Sequence, residues 1–169
     1  MIRQRRTIAD YIDTARAGIS AETSENWALM GVGFKSLDES PSAQKKNRKY
    51  ICDKNTTSSI SSYDCSFAFD VDQIRDETAI AFLVEIGEQQ KISDEAETYY
   101  VRVDLDSKPS ETNNTLHTAR KFRVAVEISA FSNDDGDMGC SGNLLPVGDF
   151  VNGYFDTSTK TFTENLPTD

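Results

Sequence analysis

The clearest structural signal in the chain is YYVRVDLD at Tyr99–Asp106, where apolar side chains occupy the odd positions and mostly polar ones the even positions. FRVAVEIS at Phe122–Ser129 and YDCSFAFDV at Tyr63–Val71 alternate in the same way. Successive side chains of a strand point to opposite faces of a sheet. The three runs therefore predict a sheet with one dry face and one wet face.

One helix is predicted at residues 73–88. Asp72 can accept a hydrogen bond from a free backbone N–H of the first turn. Ile80, Leu83 and Val84 follow the spacing that places apolar side chains on one face of a helix. This helix is the only one that the pattern supports.

The rest of the chain supplies further strands and turns. Asn133–Asp137 has the composition of a turn. The other predicted strands are Asn26–Leu37, Lys49–Asp53, Ala119–Phe131 (which returns antiparallel to Tyr99–Asp106), Phe150–Asp156 and Lys160–Thr163. The fold class predicted is mainly β with one α-helix, an antiparallel β-sandwich or open barrel.

Residues 1–169 are predicted to form one domain, because the length suits one and no internal repeat or linker is visible. Three parts of it are predicted to be extensions or loops, and the first of them contains a candidate short strand around Tyr11–Ala15. They are an N-terminal arm at residues 1–25, a long loop at 37–48 and a C-terminal tail at 164–169.

The composition indicates a modest core and an acidic surface. Hydrophobic residues make up 37% of the chain, which is lean for this length and implies polar extensions or surfaces that become buried on assembly. The net charge of −10 disfavours binding of nucleic acid, whose phosphates require cations. Two basic segments stand out against it, one near the start and one at 45–49.

The residues that usually carry catalysis are sparse, so we expect no enzymatic activity and no cofactor. His117 is the only histidine and is predicted at the surface, and no G-x-S-x-G elbow or C-x-x-C pair is present. The segment 133–137 lacks the order of a calcium loop. A hydrolase that uses two carboxylates stays a remote alternative, since any acidic protein offers candidates.

Nothing in the sequence indicates export or membrane insertion. The basic start is followed by polar residues rather than an apolar run, and no segment approaches the ~20 apolar residues needed to span a bilayer. Three widely spaced cysteines fit reduced thiols in a cytoplasm.

Several stretches, together with the order of the elements, resemble the phage tail tube protein family, and in particular the tail tube proteins of phages and prophages of Gram-positive bacteria. The type VI secretion tube protein shares that fold. The stretches are Trp27–Phe34, Tyr50–Lys54, Ala79–Phe82, Tyr100–Leu105, Gly153–Asp156 and Lys160–Phe162. The basic start, Cys65 and Cys140 depart from the family's usual pattern.

The resemblance implies a structural virion protein. Its copies would form hexameric rings that stack into a hollow tube, and the strands of each copy would join a larger barrel on ring assembly. The partners implied are other copies of the chain, a tape measure protein, and tail tip and terminator proteins. DNA would pass through without specific binding, and the location would be the virion tail, after assembly in the cytoplasm of the bacterial host.

The resemblance also suggests roles for charged residues. An acidic bore would repel phosphates, although the same side chains could face outside solvent instead. The residues predicted to line the bore are Asp104, Asp106 and Glu127, with Arg102 and Arg123 beside them as cross-strand partners. The residues predicted to contact a neighbouring ring or subunit are Arg3, Arg5, Arg6, Lys45, Lys46 and Arg48.

A binding module of the β-sandwich class is the alternative function. It would recognise a carbohydrate or another virion or cell-surface protein, and for a sugar it would need an exposed aromatic platform. Tyr99, Tyr100 and Tyr154 are the candidates, and Tyr100 is the one predicted to leave the apolar face.

Overall fold

The computed structural model of the chain describes residues 1–166. Within these residues the chain is mainly β, with one α-helix, α1 (Thr78–Glu88). The strands are β1 (Ile8–Asp13), β2 (Trp27–Leu29), β3 (Phe34–Ser40), β4 (Ala43–Arg48), β5 (Thr57–Tyr63), β6 (Ser66–Asp72), β7 (Glu97–Asp104), β8 (Leu116–Asp134), β9 (Asp137–Pro146), β10 (Val151–Asp156) and β11 (Thr161–Thr163).

Nine strands form one antiparallel sheet in the order β2-β1-β7-β8-β9-β6-β3, and β10 and β11 join it through β8. The long strand β8 pairs with β7 on one edge and with β10 and then β9 on the other. Asp135 and Gly136 turn the chain between β8 and β9 with positive φ angles, as a two-residue hairpin requires. The turn predicted at 133–137 is therefore confirmed, as is the mainly β, antiparallel fold with one helix.

The sheet curls over a core that also includes α1. Phe67 of β6 contacts Tyr100 and Phe122, with ring centroids 4.8 and 4.9 Å apart, although two strands separate β6 from β7. Ile80 and Leu83 of α1 pack into the same cluster, on what we call the helix face. No pairing joins the end strands β2 and β3 within residues 1–166, so the barrel stays open.

Both faces of the sheet are buried near its centre, so the prediction of one dry and one wet face is wrong. The register pairs Tyr100 with Phe122 and Val101 with Lys121. Tyr100 therefore lies on the helix face, whereas Val101 and Val103 lie on the opposite face and pack with Phe155 in a second core. The apolar residues of the predicted strand 99–106 and those of the predicted strand 122–129 therefore lie on opposite faces of the sheet. Alternation within each strand does not determine how the two strands pair, and the pairing decides which residues share a face.

The N-terminal arm predicted at residues 1–25 is much shorter than expected. β1 lies inside the sheet between β2 and β7, and Ile12 is fully buried. The buried Asp13 carboxylate accepts hydrogen bonds from the backbone N–H groups of Ala15, Ala17 and Asn26. These bonds fix the loop that follows β1, so only residues 1–7 precede the sheet.

Other predicted boundaries also change. The long loop predicted at 37–48 consists of the end of β3 and all of β4, while Lys49–Asp53 is part of a turn rather than a strand. The predicted strands 26–37 and 63–71 are each interrupted, at 30–33 and at 64–65. The helix begins at Thr78 instead of 73, because Asp72 still pairs with Gly139 in the sheet. Residues 164–166 follow β11, and residues 167–169 of the predicted tail lie outside the described residues.

We expect Gly142→Ala to lower the free energy of unfolding by about 3 kcal/mol, measured by urea denaturation. A Cβ at Gly142 would lie 1.9 Å from the Glu127 carbonyl oxygen, where the ladder between β8 and β9 shifts register. Gly31→Ala is the control, because its Cβ would meet only Leu29 atoms at 3.6 Å. Equal stability of the two variants would contradict this account of the β8–β9 pairing.

Candidate assembly surface

A two-stranded ribbon, residues 43–63, emerges from the end of β3 and returns at the start of β6. It consists of β4, β5 and the turn between them, and every residue of both strands is exposed. An isolated two-stranded hairpin is marginally stable in water because it buries almost no apolar surface. The ribbon therefore lacks, within its own chain, the packing that holds the rest of the sheet.

The ribbon is basic, whereas the remainder of the chain is strongly acidic. Residues 43–63 have a net charge of +4, so the other residues together carry −14. Exposed apolar side chains accompany the charge, notably Tyr50, Ile51 and Tyr63. The cations of the ribbon are Lys45, Lys46, Arg48, Lys49 and Lys54, and no ion pair within residues 1–166 includes any of them.

Several strand edges of the main sheet also lack a partner. β3 pairs only with β6, and the second half of β8 pairs only with β9 within the described residues. Such edges present free backbone donors and acceptors that can pair with another chain. Together with the ribbon, they form the part of the molecule best suited to contact with further polypeptide.

A cleft of about 460 Å³ separates β1 from β3 where the curled sheet fails to close. Arg102 reaches across the interior at this seam. Its Nη2 donates to the Leu37 carbonyl oxygen of β3 at 3.1 Å, and its Nε donates to the Asp10 carboxylate of β1 at 3.1 Å. The arginine therefore links β7 to both strands that border the cleft.

Further charged groups complete this network. Glu39 of β3 accepts two hydrogen bonds of 2.8 Å from Arg120 of β8, and one of 3.1 Å from Arg102. The Tyr100 hydroxyl donates to Asp10, and Arg5 pairs with the same carboxylate. Buried charges are tolerated only when they are paired, so the network fixes β1, β3, β7 and β8 relative to one another.

The network shifts the pKa of two of its members. The hydrogen bonds from Arg120 hold the pKa of Glu39 below its usual range, against the opposing effect of partial burial. Burial, followed by the negative charge of Asp10, raises the pKa of the Tyr100 phenol well above its usual value. Glu39 is therefore ionised and Tyr100 neutral at physiological pH.

The residues predicted to line a bore do not share one face. Arg102 is buried in the network, so its prediction as a surface residue is wrong, and its partners are Asp10 and Glu39 rather than bore carboxylates. Asp104 lies on the helix face and pairs with Arg3 at 2.9 Å, and Asp106 lies in the turn after β7.

The other two bore candidates lie on the opposite face of β8. Arg123 is half-buried and binds Glu97 of β7, whereas Glu127 is exposed. The predicted pairing of Arg123 with Asp104, Asp106 or Glu127 is replaced by this contact, because the register puts Glu97 near it. Asp104, Asp106 and Glu127 stay predictions for a bore.

The residues predicted for contact with a neighbour divide into two groups. Lys45, Lys46 and Arg48 are exposed on the ribbon, which fits contact with another copy. Arg3 and Arg5 instead bind carboxylates of their own chain, while Arg6 is exposed just before β1.

The single histidine and one of the three cysteines are buried in the folded chain. His117 is buried, not at the surface as predicted, with its Nδ1 2.8 Å from the Ser107 carbonyl oxygen. Burial raises the pKa of the Cys140 thiol to about 11. No group of three or more His, Cys, Asp or Glu residues within 1–166 is arranged to hold a metal ion.

The aromatic platform needed by a sugar-binding module is not formed as predicted. Tyr100 is fully buried, because the curl of the sheet covers its side of β7 with Phe67. Tyr99 is covered by the ammonium of Lys121, whose Nζ lies 4.5 Å from the ring centroid and also binds Glu25. The third candidate, Tyr154, is half-buried beside a polar cleft.

Comparison with known proteins adds no assignment. No protein-family model matches the chain, and no curated protein matches it. Among residues 1–166 there is no helix with the length and apolar character needed to cross a bilayer.

Sequence reasoning missed three members of the ionic network, Asp10, Glu39 and Arg120. Asp10 lies in a segment that its charges made look like an arm, and Glu39 lies in the polar run DES. Their partners are 92 and 81 residues away along the chain. The one signal in the sequence was that Tyr100 and Arg102 are alternate residues of the predicted strand 99–106. Alternate residues share a face of the sheet, and both of these bond Asp10.

We expect Glu39→Gln to lower the free energy of unfolding at pH 7 by about 2 kcal/mol, because charge-assisted hydrogen bonds are lost. The pKa of Glu39 is depressed in the folded state, so its contribution is full well above the unfolded pKa of about 4.3 and is lost progressively as pH falls through the lower folded pKa.

Thermal unfolding from pH 7 to about pH 3 checks this expectation, since the difference in stability between wild type and Glu39→Gln should narrow as the pH falls below the unfolded pKa. The exposed Glu127→Gln is the matched control and should show little gap at any pH. If the difference in stability between wild type and Glu39→Gln were the same at pH 3 as at pH 7, the charge of the Glu39 carboxylate would not be the basis of its bonds to Arg102 and Arg120.

Proposed function

We propose that the chain is a tail tube subunit of a phage or prophage, a structural virion protein whose copies form stacked hexameric rings around a conduit for DNA. The ribbon at residues 43–63 is the observation that carries the proposal. Both of its strands are fully exposed, it is basic on an acidic body, and it buries almost nothing within its own chain. A second copy of the chain would supply the missing packing.

The open sheet supports the same proposal. Unpaired edges at β3 and at the second half of β8 are a liability in a monomer, because they invite irregular pairing. Ring closure would pair such edges between neighbouring copies and build a larger barrel with no free edge. This is the physical advantage that a tube subunit gains from leaving its own sheet open.

Charge supports the role of a conduit. A bore that transmits DNA must not retain it, and the body outside the ribbon carries a net charge of −14. Carboxylates on a bore would repel phosphates, which is the reverse of the counterion release that drives DNA binding. Tape measure, tail tip and terminator proteins are the further partners that this function requires.

Excision of the ribbon tests the proposal. Ser40 and Ser66 lie directly opposite each other in the β3–β6 ladder, so residues 41–65 can be replaced by Asn-Gly as a two-residue turn. We expect sedimentation velocity to show concentration-dependent rings or tubes for the wild type. The excised variant should still unfold cooperatively on heating, because the main sheet is intact, and should stay monomeric.

Two results would contradict the proposal. One is a wild type that stays monomeric at every concentration, even with its tail tip protein present. The other is an excised variant that assembles as well as the wild type does. The Gly31→Ala variant serves as the control, because its substitution lies outside the ribbon and makes only ordinary contacts.

We also expect Cys52 to report on assembly, because it lies exposed in the turn of the ribbon. A water-soluble thiol reagent should modify Cys52 rapidly in dilute protein and slowly in assembled protein, with the sites identified by mass spectrometry. Cys140 is the internal control, since its burial and its pKa of about 11 leave little thiolate in either state. Equal rates at Cys52 in both states would argue against burial of the ribbon.

A further inference from the structure

The ribbon and the most acidic turn of the chain lie at opposite ends of the same strands. The ribbon leaves the sheet at Ser40 and re-enters at Ser66, the end of β6 next to Leu144 of β9. The other end of β6, Asp72, pairs with Gly139 near the hairpin that joins β8 to β9. The seven residues of β6 therefore separate the two features by about 20 Å.

The hairpin at that far end, which we call the acidic tip, consists of Asp134, Asp135, Gly136 and Asp137. Asp134 and Asp137 are directly opposite each other as the last pair of the β8–β9 ladder. Like charges at opposed positions of a hairpin destabilise it. No ion pair within residues 1–166 includes any of the three carboxylates, and the more distant Lys35 ammonium, which bonds Asp72, offsets only part of the charge at Asp134.

The ribbon has the complementary arrangement. Lys45 and Lys46 are adjacent on β4, so their side chains point to the two faces of the ribbon, and Arg48 shares a face with Lys46. Their cross-strand neighbours on β5 are serine, threonine or isoleucine and offer no carboxylate. Three cations at one end of the molecule thus match three carboxylates at the other.

We propose that the ribbon of one copy docks on the acidic tip of the next copy, in a head-to-tail contact. This inference rests on the proposed function, and it names the surface that receives the ribbon. A contact between two different patches repeats along an axis without closing on itself, which produces a stack of indefinite length. Charge opposition also forbids stacking head to head, because two ribbons or two acidic tips repel each other.

Charge reversal at each end tests the contact. Lys45→Glu/Lys46→Glu makes the ribbon acidic, and Asp134→Lys/Asp137→Lys makes the tip basic. Asp135 is left unchanged because it holds a positive φ in the turn. For either variant alone, we expect the protein concentration at which tubes appear to be at least about tenfold higher than for the wild type. Negative-stain electron microscopy and sedimentation measure that concentration.

The two changes should compensate for each other. All four substitutions in one chain should restore tubes, and so should an equimolar mixture of the two variants, in which each ribbon meets an opposite tip. Glu111→Lys/Asp149→Lys is the matched control for the tip, because it makes the same change in charge at two exposed residues in loops outside the ribbon and the acidic tip. It should assemble as the wild type does. Circular dichroism confirms that each variant is folded.

Salt dependence is a second test, and it needs no variant. Raising sodium chloride from about 0.05 M to about 0.5 M should weaken stacking of the wild type, because salt screens the attraction between exposed charges. The contact would be overturned if the ribbon variant and the tip variant both formed normal tubes, or if the chain with all four substitutions formed none. Either result would leave the proposed function intact. A wild type that forms no assembly under any condition would overturn the function itself, and the contact with it.

Discussion

Arg102 is the side chain on which the shape of the molecule depends. Its guanidinium is buried among Asp10, Glu39 and the Leu37 carbonyl oxygen, and so connects strands that are far apart in the sheet. A buried guanidinium that loses a partner costs several kcal/mol, so these strands must keep their relative positions. The sheet is consequently held in a curl, but the connection is made by side chains and leaves the backbone edge of β3 unpaired.

This arrangement explains how one sheet can be both rigid and incomplete. The aromatic cluster of Phe67, Tyr100 and Phe122 fills the concave side, and α1 closes over it. Outside this core, the two strands of the ribbon bury nothing in the single chain, and the outer backbone edge of β3 pairs with no strand among the described residues. In the proposed tube, folding and assembly would therefore draw on different residues, so a stable subunit could exist before its neighbours arrive.

The sequence was informative where local chemistry decides the structure. Alternation revealed the strand at 99–106, and the run of Asn, Asp and Gly revealed the turn at 133–137. Alternation could not supply the register, which places Val101 and Phe122 on opposite faces, nor show that Arg102 is internal. The first strand of the ribbon, β4, fell within the loop predicted at 37–48 because its polar residues have weak strand propensity and no buried face leaves a pattern. The bonds from Asp10 to Arg102 and from Glu39 to Arg120 join residues remote in sequence, so no local pattern reveals them.

The central claim is that copies of this chain complete one another around a hollow bore. A three-dimensional reconstruction by electron cryomicroscopy of the concentrated wild-type protein tests it most directly. The account predicts a hollow tube in which each ribbon is ordered against an adjacent copy and the edge of β3 is paired between subunits. Discrete single subunits at every concentration, with β3 unpaired and the ribbon facing solvent, would contradict it.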